Sequence, residues 1–198
     1  MKILGITGPT GAGKTTALQE LEQMGALLID ADAVYHQMLR EDVQLRQDLE
    51  EQFGYMTDES GNFDRKKLGS IVFQDPEALE TLNAIAHRHI VGKIKKILRQ
   101  AAEEGVHLAA VDAIALFESG LDRLCHDTVA IIAPPQVRIQ RIMAREGISE
   151  EYARMRVQAQ QKDDFFTARC GYTLYNDCGS REEFAKKAKE LFAVLVQK

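Results

Sequence analysis

The stretch "KILGITGPTGAGKTT" at residues 2–16 constrains the fold more than any other part of the chain. Gly8 to Thr15 fits G-x-x-x-x-G-K-[ST] without a mismatch, the spacing of a loop that wraps phosphate oxygens with backbone N–H groups. Such a loop works only between a buried strand and a helix whose N-terminus faces the anion. Both are expected here. Lys2 to Thr7 is a short apolar run, and Thr15 to Met24 repeats Ala17, Leu18, Leu21 and Met24 at helical spacing before Gly25 stops it.

The same alternation continues along the chain. Short apolar runs at 26–29, 107–111, 127–133 and, more weakly, 172–175 predict four further strands. Helices are expected between them, including two at about 135–146 and 149–163. A last helix starts at the capping box Ser180-Arg-Glu-Glu183 and turns Phe184, Ala188, Leu191, Phe192 and Leu195 inward. Strands that alternate with helices give an α/β three-layer fold with a parallel five-stranded sheet. The mostly helical segment from about 33 to 105, interrupted by "GYMTDESGNFD", is too long for a simple crossover and is read as a helical insertion walling a second-substrate site. A single domain of 198 residues with a lid at about 136–163 is expected.

Binding a nucleotide does not decide its fate. A GTPase switch would need D-x-x-G after a strand, and Asp58-Glu-Ser-Gly61 has no apolar run before it. A kinase needs a carboxylate near the acceptor hydroxyl and cations around the transferring phosphoryl group. Asp32, just past the second strand, is the candidate for the first; one of Asp30 and Asp32 is expected to cap the following helix. Arg138, Arg141 and Arg145 recur on one helix face, with Arg154 and Arg156 beyond, as in a lid that closes over ATP. Lys14 is expected at the β- and γ-phosphates, Thr15 at Mg²⁺, and Asp112, at a strand end, as a further possible Mg²⁺ ligand. A nucleotide-binding regulator without transfer activity is the non-enzymatic alternative.

Net charge of −5 argues against a nucleic acid or an anionic membrane as partner, although clustered cations can hold a polyanion in an acidic chain. No apolar run approaches a membrane span, and no signal-peptide layout opens the chain. Cys125, Cys170 and Cys178 show no metal spacing and are expected to be reduced thiols in a cytoplasmic protein.

Taken together, these segments resemble the dephospho-CoA kinase family over essentially the whole chain. The opening through "LLIDADAV", the stretch "FDRKKLGSIVFQDPEALETLNAIAHRHI", "LFESG" at 116–120 and "QRIMAREGISEEYARMRVQAQ" carry the likeness. The resemblance implies a P-loop NTPase-type fold and transfer of the ATP γ-phosphate to the ribose 3′-hydroxyl of dephospho-CoA with Mg²⁺. It implies ATP contacts at Gly8, Thr10, Gly11, Ala12, Gly13, Lys14, Thr15, Thr16 and Arg138. Catalytic roles fall to Asp32, Lys14, Arg138 and Arg141, and acceptor contacts to Asp32, His87, Leu116 and Glu118. A monomer or weak homo-oligomer is expected; another small-molecule or nucleoside-type kinase is the nearest alternative. The chain departs from the family pattern at Arg88, where proline is usual after the histidine, at Ala113 to Ala115, and between Cys170 and Gly179.

Overall fold

The structure is a computed structural model that describes residues 1–58, 61–177 and 179–197. Cys178 and the middle of the Asp58–Gly61 stretch lie outside them. Among the described residues the contacts divide the chain into two compact units, residues 1–29 with 100–198 and residues 30–99.

The first unit is built on β1 (Lys2–Thr7), β2 (Leu27–Asp30), β3 (Leu108–Asp112), β4 (Asp127–Ile132) and β5 (Tyr172–Tyr175), in the sheet order β2-β3-β1-β4-β5. The pairs β1–β3, β1–β4 and β4–β5 are parallel, with Ile6 opposite both Asp112 and Val129. β1 therefore lies where strands are added to either side, the place where such sheets bind ligands beyond their carboxyl ends. Both faces are covered. Val129 and Ile131 point into a core with Leu4, Ile6, Leu108 and Ala110. Ala130 and Ile132, one residue out of phase, pack on Phe166.

α1 (Lys14–Gln23) and α9 (Arg181–Gln197) close the first face through Ala17, Leu21, Phe184, Ala188, Phe192 and Leu195. α9 starts as expected: the Ser180 hydroxyl accepts from Glu183 N–H at 3.1 Å. α6 (Pro135–Glu146) and α7 (Glu150–Gln158) pack together through Ile139, Ile142 and Ala153. The expected helix at 149–163 ends earlier, and α8 (Asp163–Thr167) follows as a separate short helix. The break lies at Gln160, whose side chain is drawn away to distant partners.

The second unit contains α2 (Ala31–Glu41), α3 (Val43–Phe53), α4 (Arg65–Val72) and most of α5 (Pro76–Glu103). Each start has a local cause. Asp42 and Asp64 accept from Leu45 and Lys67 N–H, and Asp75 accepts from Glu77 and Ala78 N–H just before Pro76. Met38, Leu39, Leu45 and Leu49 form one small core, and Met56, Leu68 and Val72 another. Between α3 and α4, Asp58 accepts from Asn62 N–H at 2.9 Å and Gly61 N–H bonds the Asp58 carbonyl. These bonds are local, in keeping with the lack of a strand before Asp58. Among the described residues no helix is long and apolar enough to cross a membrane.

Candidate active site

The loop between β1 and α1 takes its shape from positions where a side chain does not fit. Gly8 has φ of 134°, and a Cβ there would lie 2.1 Å from the Ile131 carbonyl oxygen of β4. Gly13 has φ of 108°, and a Cβ there would lie 2.2 Å from Asn176 Nδ2. Gly13 is also the N-cap of α1 and offers no side chain, so no cap bond occupies the first-turn N–H groups. Thr16 N–H bonds the Gly13 carbonyl at 3.0 Å; the N–H groups of Lys14 and Thr15 before it lie at the positive end of the helix dipole and suit an anion. Lys14 Nζ donates to the Gly8 carbonyl at 3.0 Å. An ammonium has three donors, so two remain for phosphate oxygens. Thr15 is exposed, and Thr10 and Thr16 are partly buried.

The outer side of the loop is braced. Arg138 Nε donates to the Thr10 carbonyl at 3.1 Å, and Arg141 Nη1 donates to the Gly11 and Ala12 carbonyls at 3.2 and 3.3 Å. Asn176, buried at the end of β5, donates from Nδ2 to the Ala12 carbonyl at 2.8 Å and accepts from Arg141 Nη2 at 3.2 Å. Gln160 Oε1 accepts both Thr10 N–H at 2.9 Å and Arg138 Nη2 at 2.8 Å. Arg138 is 3% exposed and lies 3.5 Å from Asp163. Burial pushes its pKa down and Asp163 opposes the shift; an arginine so placed stays protonated. The arginines thus tie α6 to the carbonyl side of the phosphate loop.

Arg145, Arg154 and Arg156 take a different part: Arg145 and Arg156 pair with Glu146, and Arg154 with Glu150. Asp112 closes β3 opposite Ile6, the residue before Thr7, and so stands at the same rim as the loop. The Thr7 hydroxyl donates to the Ile114 carbonyl at 3.2 Å, joining that rim to the following turn. In this turn Glu118 is exposed. Leu116 is fully buried, 3.0 Å from where a Cβ on Gly5 would stand, and it packs beneath β1. The Cys125 thiol shares that space; burial, with a smaller push from Asp122, raises its pKa to about 12.

Asp32 and His87 belong to the helical unit. Asp30 is the residue that caps α2, accepting from Ala33 N–H at 3.0 Å. Asp32 follows in the first turn, exposed, with no hydrogen bond among the described residues. His87 is half-buried on α5. Beside it Arg88, where the family pattern has proline, pairs with Asp48 of α3 at 2.6 Å, and His89 Nε2 lies 2.8 Å from the same carboxylate. The departure at 88 thereby joins α3 to α5. Bonds from His89, Gln44 and the nearby cations hold the Asp48 carboxyl below its usual value.

Asn176 and Gln160 are the site residues that sequence reasoning missed. Asn176 carried a usable signal, since it is a polar residue at a strand's carboxyl end. Gln160 carried none, because its partners are 150 and 22 positions away.

A family model described as dephospho-CoA kinase matches residues 2–182. A curated dephospho-CoA kinase from Corynebacterium diphtheriae is 33% identical over 97% of this chain and 96% of its own length. Another, from Dehalococcoides mccartyi, is 34% identical over 98% and 96%. The solved dephospho-CoA kinase from Campylobacter jejuni is 25% identical and superposes with a TM-score of 0.72, covering 100% of this chain and 98% of that one.

Proposed function

Since the chain belongs to the dephospho-CoA kinase family, we propose a division of labour among its residues for the last step of coenzyme A synthesis. The enzyme transfers the γ-phosphoryl group of ATP to the ribose 3′-hydroxyl of dephospho-CoA, giving coenzyme A and ADP. The observation that carries this reading is the glycine cradle opening on the uncapped start of α1, with the Lys14 ammonium beside it.

Phosphoryl transfer asks the protein mainly to position two substrates and to meet negative charge on the migrating group. The first-turn N–H groups of α1 and the loop amides hold the β- and γ-phosphates. Lys14, keeping one bond to the Gly8 carbonyl, directs its other donors to the same oxygens. Arg138 and Arg141 act as positioning residues by gripping the loop's carbonyls from its outer side. Asp32 receives the proton of the 3′-hydroxyl as that oxygen attacks; its support is an exposed carboxylate with no capping duty, which Asp30 has taken. Thr15 and Asp112 supply a hydroxyl and a carboxylate, hard oxygen donors of the kind Mg²⁺ takes alongside phosphates. The ion would neutralise charge on the β- and γ-oxygens. His87 and Glu118 are proposed on the acceptor side. Cytoplasmic residence and a monomeric or weakly associating chain that engages no nucleic acid belong to the same proposal.

The test is to incubate the protein with MgATP and, separately, dephospho-CoA, adenosine and other nucleosides, and to measure ADP. Formation of ADP with dephospho-CoA as the preferred acceptor supports the reading. Preference for a nucleoside overturns it.

A further inference from the structure

Arg138, Arg141 and Asn176 all donate to carbonyls of the phosphate loop, and Gln160 does the reverse. At the junction of α7 and α8, its Oε1 atom accepts Thr10 N–H at 2.9 Å and Arg138 Nη2 at 2.8 Å. Both neighbours are donors, so the oxygen of Gln160 faces them and not its amide nitrogen, with a lone pair for each. Arg138 closes the ring through its Nε, which donates to the Thr10 carbonyl at 3.1 Å. Thr10 is therefore held at both its N–H and its C=O, by an acceptor and a donor that also hold each other. The contact with ATP that the family resemblance implies for Thr10 does not use that N–H.

This ring joins three parts of the first unit. α6 and α7 are packed as a pair through Ile139, Ile142 and Ala153. The Arg138 backbone carbonyl stands 2.9 Å from where a Cβ on Gly11 would lie, so α6 meets the loop directly. Asp163, at the start of α8, lies 3.5 Å from Arg138 Nη1. Gln160 itself lines a concavity of about 400 Å³ with Pro135, Arg138, Gln161, Lys162 and Asp164. Its place against the loop thus rests on hydrogen bonds rather than on apolar packing.

We propose that Gln160 is a positioning residue for the nucleotide: by clamping Thr10 together with Arg138, it holds the first half of the phosphate loop in the shape that receives ATP, without touching the nucleotide. This rests on the ATP-donor side of the dephospho-CoA kinase reading. A bond that had to break before ATP could enter would be the opposite device, a latch. The 3% exposure of Arg138 argues against a latch, because releasing Gln160 would leave a buried guanidinium donor unpaired.

The full chain is compared with Q160M, which keeps the side-chain length and lacks the acceptor, and with Q160E, which keeps an acceptor oxygen whose charge the Arg138 guanidinium balances. KM is measured for ATP and for dephospho-CoA, and calorimetry gives the Kd of the magnesium complex of the non-hydrolysable analogue AMP-PNP. Q160M is expected to raise KM for ATP and Kd for the analogue about tenfold, the weight of one lost bond to a charged group. KM for dephospho-CoA should stay unchanged, and Q160E should recover most of the loss. Donor constants in Q160M that match wild type, or that fall as a released latch would make them, overturn the proposal. So does an equal rise in both KM values, or a Q160E as impaired as Q160M, since either marks a general structural loss rather than a missing acceptor. If the wild-type chain binds the analogue and does not phosphorylate dephospho-CoA, the kinase reading falls, and the three calorimetric constants still decide the role of Gln160.

Discussion

At Asp32 and Asp30 two identical side chains, two positions apart, differ in local duty: Asp30 caps α2 and Asp32, for which the role of base is proposed, does not. The capping bond to Ala33 consumes Asp30, so Asp32→Asn should remove the proton acceptor without unseating the helix. Transfer is expected to fall by at least about a hundredfold, the usual weight of a general base, while ATP binding measured by calorimetry stays near wild type. Wild-type turnover in that variant would end the proposed role. Asn176 makes the opposite kind of contribution. Replacing it with alanine removes the shorter of the two bonds to the Ala12 carbonyl, the other coming from Arg141, and frees one arm of Arg141, at a cost of about 1 kcal/mol. A lower thermal midpoint together with weaker ATP binding is expected; a fall in stability alone would separate Asn176 from the site. Thiol chemistry gives a third check. Burial lifts the Cys125 thiol to about 12 and Cys170 to about 11, so almost no thiolate exists at neutral pH. Iodoacetamide should label both only slowly in the folded chain, as read by peptide mass mapping. Rapid labelling at either would contradict the burial.

Among the elements, β1 and β5 coincide with the runs read from sequence, and α1 and β4 fall within a residue of them. Their apolar periods are local and their ends carry Gly8, Gly25 or Pro134. The helix expected at 149–163 was not legible as two pieces, since the pull on Gln160 comes from Thr10 and Arg138, which no local pattern contains. Nor could Asp48 be connected to α5 in advance, because the tie spans 40 positions. That tie predicts a pH dependence. Asp48 has a folded pKa below the ~3.9 of an unfolded aspartate. Its stabilising effect is therefore complete above about pH 4 and lost as pH falls through the depressed folded value. Glu50, held down by the Thr57 hydroxyl and Met56 N–H, acts in the same direction. The urea midpoint should drop between about pH 5 and pH 3, with a shallower slope in Asp48→Asn. An unchanged slope would remove the tie from the account.

For the molecule as a whole, a net charge of −5 hid a concentration of cations. Arg40, Arg46 and Arg65 come from α2, α3 and α4 into one small concavity, which a sum over the sequence cannot reveal. The phosphate loop was legible because eight adjacent residues make it; the arginine-lined cavity was not, because only folding assembles it. The two units also lack a linker. One crossing falls at the end of β2 and the other inside α5. Because α5 runs through its crossing without a break, urea unfolding should be a single transition, the same by circular dichroism as by hydrogen exchange in either unit. Two midpoints would refute that.

The unbroken α5 also limits how such an enzyme can be re-engineered. The helical unit cannot be swapped between relatives by cutting at convenient loops, since its last boundary falls inside α5. A graft has to carry the whole 28-residue rod and the last residue of β2 with it. Altering that unit is thus more accessible by point changes than by exchanging parts.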